Sequence, residues 1–167
     1  RILKEFNTSQ TDYPKDKTIV DLFEEQAAKT PTNIAVSFNN EKLTYKELNQ
    51  KSNQLANYLK AKGVKPETLV GICINRSVEM IIGILGILKS GGAYVPIDPE
   101  YPQDRIDFML NDSEVKIVLT DSTSLPKLSP KGIELLDICK AFPGNLKSNN
   151  LTSNNLISNI SLMEILE

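Results

Sequence analysis

The stretch from Thr68 to Pro96, TLVGICINRSVEMIIGILGILKSGGAYVP, leaves few folds open. Its first seven residues hold a continuous apolar run, and a strand of that kind must be covered on both faces, as in a parallel sheet. The segment SVEMIIGILGILKSG (77–91) is apolar nearly all round, which suits only a buried helix. The alternation then continues. Asp104 to Leu110 spaces Ile106, Met109 and Leu110 for a short helix, VKIVLTD (115–121) predicts a strand, and GIELLDI (132–138) is a candidate for another. Strand and helix alternating at this spacing predict an α/β fold, a mostly parallel sheet flanked by helices.

Upstream of that core, Thr18 precedes the amphipathic IVDLFEEQAAK, with Asp21 placed as its capping-box partner. Ile19, Leu22, Phe23 and Gln26 share one face and are expected to point inward. Pro31 stops the helix, because a proline restrains the residue before it. In NIAVSFNNEKLTY (33–45), Ile34, Val36 and Phe38 alternate with polar neighbours around a turn, which predicts a β-hairpin. Thr44 caps a long helix, with Glu47 reaching back and Leu43 and Leu48 as a hydrophobic staple. Leu48, Leu55, Ala56 and Leu59 form its inner face, and Gly63 ends it.

The 167 residues suit one domain that buries roughly 70% of its unfolded surface. Residues 1–17 read as an arriving linker and 18–143 as the folded unit. Residues 144–160 are dominated by Asn, Ser and single Leu or Ile, too few apolar groups to offset ordering entropy. Residues 144–167 are therefore expected to be an Asn/Ser-rich linker leading into an inserted or following domain, with SLMEILE (161–167) as a possible start of a helix.

A net charge of −2 gives no electrostatic reason to expect nucleic acid or an anionic membrane as partner. The longest aliphatic run, 78–88, is too short to span a bilayer and contains Glu79 and two glycines. With no signal peptide in the charged opening, a cytoplasmic, reduced protein without a membrane anchor is expected. The chain has no histidine, which removes the commonest general base, the triads built on it and most zinc sites. Cys73 and Cys139 form no metal or CxxC pattern, and Cys73 reads as a small buried hydrophobe.

Gly91-Gly92 raise the question of a phosphate cradle. A phosphate loop sits at the entrance of a helix, where free N–H groups point at the anion. These glycines follow a helix, at the end whose dipole repels anions. Gly91 fits a left-handed terminating residue, and Pro96, Pro99 and Pro102 then hold Tyr94, Val95 and Ile97 on an extended path. Gly83 and Gly86, inside the helix, suggest close approach of a neighbouring strand.

Asp98 can accept from nearby backbone N–H groups or serve a substrate. Arg76 and Glu79 lie just after a strand, where α/β folds place ligands, yet Asn75 or Ser77 in the same stretch also reads as a helix cap. Asp104, Arg105 and Asp107, like Glu24 and Glu25, read as solvated helix faces. The residues themselves nominate no catalytic, cofactor-binding or metal-binding position.

LTYKELNQKSNQLANYL together with LKSGGAYVPIDPEYPQDRIDFMLNDSEVKIVLT closely resembles the first two core motifs of adenylation domains of nonribosomal peptide synthetases, in the adenylate-forming superfamily. The resemblance runs from about Thr18 to Thr120. RILKEFNTSQTDYPKD also resembles the connector that follows a condensation domain, which favours a peptide synthetase over a stand-alone acyl-CoA ligase. The resemblance implies the first lobe of an adenylate-forming core and a two-step reaction. A carboxylate substrate, usually an amino acid, attacks the α-phosphate of Mg-ATP, and the phosphopantetheine thiol of a carrier domain then captures the acyl group. It implies as partners the rest of the adenylation domain and the condensation and carrier domains of the same synthetase.

The Thr-Ser-Gly-Thr-Thr-Gly phosphate loop of that family has no match here, nor do its motifs for ribose, adenine, substrate pocket or catalytic lysine. No catalytic residue is carried over to any position. The fragment alone is expected to be inactive. The alternatives that stay open are a truncated or interrupted lobe acting as scaffold or docking module, and an acyl-CoA ligase-type relative.

Overall fold

Two threonines open the first two helices in the same way. In the computed structural model, which describes residues 12, 14–128 and 132–140, helix α1 (Ile19–Lys29) begins at Thr18, whose hydroxyl accepts from the Asp21 N–H while Asp21 accepts from the Thr18 N–H. Helix α2 (Tyr45–Ala61) repeats the reciprocal cap with Thr44 and Glu47. Each cap satisfies donors that a helix start leaves open, worth about 1 kcal/mol. Asp12 and residues 14–17 carry no helix or strand, and the expectations for residues 1–11 and 144–167 lie outside the described residues.

Between the two helices stands the hairpin of β1 (Ile34–Phe38) and β2 (Glu41–Thr44), antiparallel as expected. Its alternation is imperfect. A register shift falls between Ile34 and Val36, so Ile34 faces solvent while Ala35 and Val36 both pack against the core.

The rest is one parallel sheet. Strand β3 (Leu69–Cys73) lies between β4 (Ala93–Pro96) and β5 (Ile117–Thr120), and β6 (Glu134–Asp137) flanks β5. All neighbouring pairs are parallel. Helix α3 (Val78–Ser90) joins β3 to β4, and α4 (Gln103–Asp112) joins β4 to β5. Val70, Ile72, Ile74, Leu119 and Leu136 point to one face, where α2 and α3 supply Leu55, Leu59, Ile82 and Ile87. Cys73, Val118 and Ile97 point to the other, against Ile106 and Leu110 of α4. Each fully buried aliphatic side chain contributes roughly 1.5–3 kcal/mol, so β3, buried from Val70 onward, is the keel of the fold.

Two expectations need correction. Ala27, with Phe23 half-buried, forms the inner side of α1, whereas Ile19 is 67% exposed and Leu22 40% exposed. Helix α1 is seated through Phe23, against the core and the Tyr45 ring, and through Ala27, a face that leaves Ile19 and Leu22 to solvent. The extended path of Tyr94 and Val95 is as expected and forms β4, where Pro96 sits on the sheet's outer edge and its missing N–H breaks no ladder. Finally, a strand approaches only one of the two helical glycines. A Cβ on Gly83 would come within 2.9 Å of Ile72 on β3, but one on Gly86 would meet Leu55 of α2 at 2.5 Å. Gly86 is what lets α2 and α3 pack closely.

Candidate functional site

An open parallel sheet forms a crevice beyond the carboxyl ends of its strands, where successive connections leave to opposite faces. Here α3 packs on one face and α4 on the other. The connections therefore part between β3 and β5, at Asn75–Arg76 and Asp121–Ser124.

Those two loops are bound to each other. Asp121 Oδ2 accepts from the Asn75 backbone N–H at 2.7 Å and from the Asn75 side-chain amide at 3.2 Å. The same amide donates to Thr123 Oγ1 and Ser124 Oγ, both at 2.9 Å. The other oxygen of Asp121 accepts from the Thr123 and Ser124 N–H groups at 2.8 and 2.7 Å and from the Thr123 hydroxyl. Partial burial works against ionisation of Asp121, but the hydrogen bonds from Thr123, Asn75 and Ser124 outweigh it and hold its carboxyl down at about 2. An acid this strong is a poor general base near neutrality. It serves as a clasp.

The neighbouring strand end is tied in a similar way. Asp137 accepts from Ser122 Oγ at 2.7 Å and the Cys139 N–H at 3.0 Å, and pairs with Lys140 at 3.1 Å. Burial again opposes ionisation, and these partners lower the Asp137 carboxyl below its usual range. Lys127 reaches across to donate to the Pro99 carbonyl at 2.9 Å.

The residues nominated from sequence scatter. Arg76 is exposed at the crevice, while Glu79 turns into the protein one helical turn later, 7% exposed. Burial lowers the Lys51 ammonium, and the Glu79 carboxylate pulls the other way. Ser77, not Asn75, caps α3, accepting from the Met80 N–H at 3.2 Å. Asn75 instead belongs to the clasp, and its partners 46 to 49 positions away explain why no local pattern announced it. Asp98 accepts from the Glu100 N–H at 2.9 Å, a turn-forming bond. Burial pushes the Cys73 thiol up to about 11, which leaves it neutral and unreactive at neutral pH. Arg105 lies over the Tyr101 ring, 4.8 Å from its centroid.

The glycine pair offers no phosphate cradle. Gly91 takes φ +92° as the left-handed residue ending α3, and the N–H groups of Gly91 and Gly92 donate to Leu88 and Ile87 carbonyls at 3.0 and 3.1 Å. Among the described residues no group of three His, Cys, Asp or Glu side chains is placed to hold a metal ion. No described helix is long and apolar enough to cross a membrane.

A family model described as AMP-binding enzyme matches residues 23–158. Bacitracin synthase 1 of Bacillus licheniformis is 53% identical over 135 residues, covering 81% of this chain and 3% of that protein. Tyrocidine synthase 3 of Brevibacillus parabrevis is 59% identical over 119 residues, covering 71% of this chain and 2% of that protein. The chain thus spans only a few per cent of the length of these curated relatives. Among solved structures, the nonribosomal peptide synthetase FmoA3 in its AMPPNP-bound form superposes with a TM-score of 0.75 at 34% identity, covering 83% of this chain and 15% of that one. The N-terminal subdomain of Klebsiella oxytoca NpsA gives 0.67 at 26% identity, covering 73% of this chain and 31% of that one.

Proposed function

The chain belongs to the family of AMP-binding enzymes, and from that premise we propose that it is the N-terminal part of an amino-acid-activating adenylation domain within a nonribosomal peptide synthetase. The complete domain would join an amino acid to the α-phosphate of Mg-ATP, release pyrophosphate, and pass the aminoacyl group to the phosphopantetheine thiol of a carrier domain. Its partners would be the rest of that domain and the condensation and carrier domains of the same cytoplasmic synthetase. Boundaries near residues 17 and 143 would separate the lobe from an arriving connector and a following linker.

What supports this most is identity above 50% to peptide synthetases across the βαβ core. The described residues do not fit magnesium or triphosphate. The glycine N–H groups are consumed by the helix end, and the carboxylates at the sheet edge are already engaged by the loops around them. No chemical step is therefore assigned to any residue here. This chain's part in the reaction is to hold the sheet and its carboxyl-edge loops in place.

The test is amino-acid-dependent exchange of labelled pyrophosphate into ATP, catalysed by the natural synthetase that contains this sequence. Exchange with at least one amino acid is expected. A synthetase that exchanges only with a fatty or aryl acid would favour an acyl-CoA ligase-type relative.

A further inference from the structure

A helix at a protein surface ordinarily turns its charges outward and its apolar stripe inward. Helix α3 turns its charges the other way. Only Glu79 and Lys89 along it are charged, and both face the protein. Glu79 is 7% exposed. The Lys89 side chain is 4% exposed, donates to Asn49 Oδ1 and Asn53 Oδ1 on α2, and pairs with Glu24 on α1 at 3.0 Å. The same inner side seats Ile82 and Ile87 in the core, Gly83 against β3 and Gly86 against α2.

The opposite side of α3 is aliphatic too. Ile81, Ile84, Leu85 and Leu88 recur at i, i+3, i+4 and i+7, and each is only partly buried. Beside them, Tyr94 on the outer strand β4 is level with Val70, so it shares the α3 side of the sheet, and it is 42% exposed. Single apolar side chains at a surface are ordinary, but a whole helix face without a charge marks an interaction site. An interface this free of charge is of the permanent kind, like a domain core cut in half. That favours chain made together with the lobe over a visiting protein. In the N-terminal subdomain of Klebsiella oxytoca NpsA, of which this chain covers 31%, most of the subdomain lies outside the matched part.

We infer that the outer stripe of α3, with Tyr94 beside it, is an internal interface of a larger folded unit, covered by an aliphatic face of the same polypeptide beyond these 167 residues. This inference rests on reading the chain as the N-terminal part of an adenylation domain. The occupant has to be uncharged where it meets Ile84 and Leu88, because nothing on that face of α3 could pair with a buried ion.

Ile84→Cys tests it, made both in the 167-residue chain and in the natural synthetase that contains this sequence. Maleimide labelling is read on the tryptic peptide of residues 77–89, which holds no other cysteine. The new thiol should label at least roughly thirtyfold more slowly in the native synthetase than in the 167-residue chain. A smaller ratio overturns the proposal. Protection in the short chain that is lost on dilution also overturns it, since the occupant would then be a second copy. Should the short chain not stay folded, the synthetase decides alone: protection of at least roughly a hundredfold over its urea-unfolded form supports the covered face, and anything less overturns it. Amino-acid-dependent pyrophosphate exchange on the same preparation separates this inference from the reading beneath it. A protected thiol without exchange keeps the interface and removes that reading, whereas exchange with a freely labelled thiol keeps the reading and removes the interface.

Discussion

Asp121 is the residue on which most of the carboxyl edge depends. Its two oxygens fix the loop after β5 and hold the turn after β3, so the cost of changing it exceeds that of an ordinary surface acid. Asp121→Asn loses the charge that strengthens these bonds and turns one acceptor into a donor facing N–H groups. A loss of about 2 kcal/mol is expected, measured by urea unfolding at pH 7. The pH dependence has a definite sign. The folded carboxyl is depressed to about 2, so its stabilising contribution is fully present above the ordinary carboxylate value and lost as pH falls from about 4 towards 2. Unfolding midpoints of parent and Asp121→Asn should therefore converge across that window. Curves that stay parallel would show that Asp121 does not carry the effect. None of this was legible in sequence. NRS read as a helix cap because capping is local and has a spacing, whereas a side chain meeting a loop 46 positions away has none.

At the scale of elements, what was legible was what repeats. The two capping boxes, the glycine stops and the apolar runs of β3, α3 and β5 have periods or fixed offsets, and the chain obeys them. What escaped depends on which element lies opposite. Nothing local announces that Lys89, in the last turn of α3, is buried, since its partners belong to α1 and α2. Gly86 read as facing a strand and faces a helix. Gly86→Ala makes the point measurable. Alanine improves helix propensity by about 1 kcal/mol, but its methyl would fall 2.5–2.9 Å from three atoms of Leu55, including Cβ, so the helices must part. A net loss of about 1–2 kcal/mol in thermal or urea unfolding is expected. A stabilised variant would mean that α2 and α3 can separate freely. Thr44→Ala, removing the cap of α2, should cost about 1 kcal/mol by the same measurement.

For the whole molecule, the parallel α/β class followed from a strand and a helix that both demanded burial, and the sheet order β4-β3-β5-β6 realises it. The two faces are not equally covered. Helices α2 and α3 line one, while among the described residues α4 lies on the other and leaves Phe108 66% exposed. The 167-residue chain, with its glycine N–H groups already engaged, should show no micromolar binding of ATP by isothermal titration. Micromolar affinity would reveal a nucleotide site within these residues.

The parallel pairing of β3 with β5 also sets a timetable. Cys73 pairs at Thr120, just under fifty residues later, and a ribosome adding about 5–20 residues per second needs roughly 2–9 s to make the difference. For that interval β3, buried from Val70 onward in the finished fold, has one flank open, and β4, reached through α3, covers the other. A sticky intermediate is thus written into the order of synthesis. Slower decoding between residues 97 and 116 would prolong it, and a chaperone acting on the nascent chain would find its binding stretch at Leu69–Cys73.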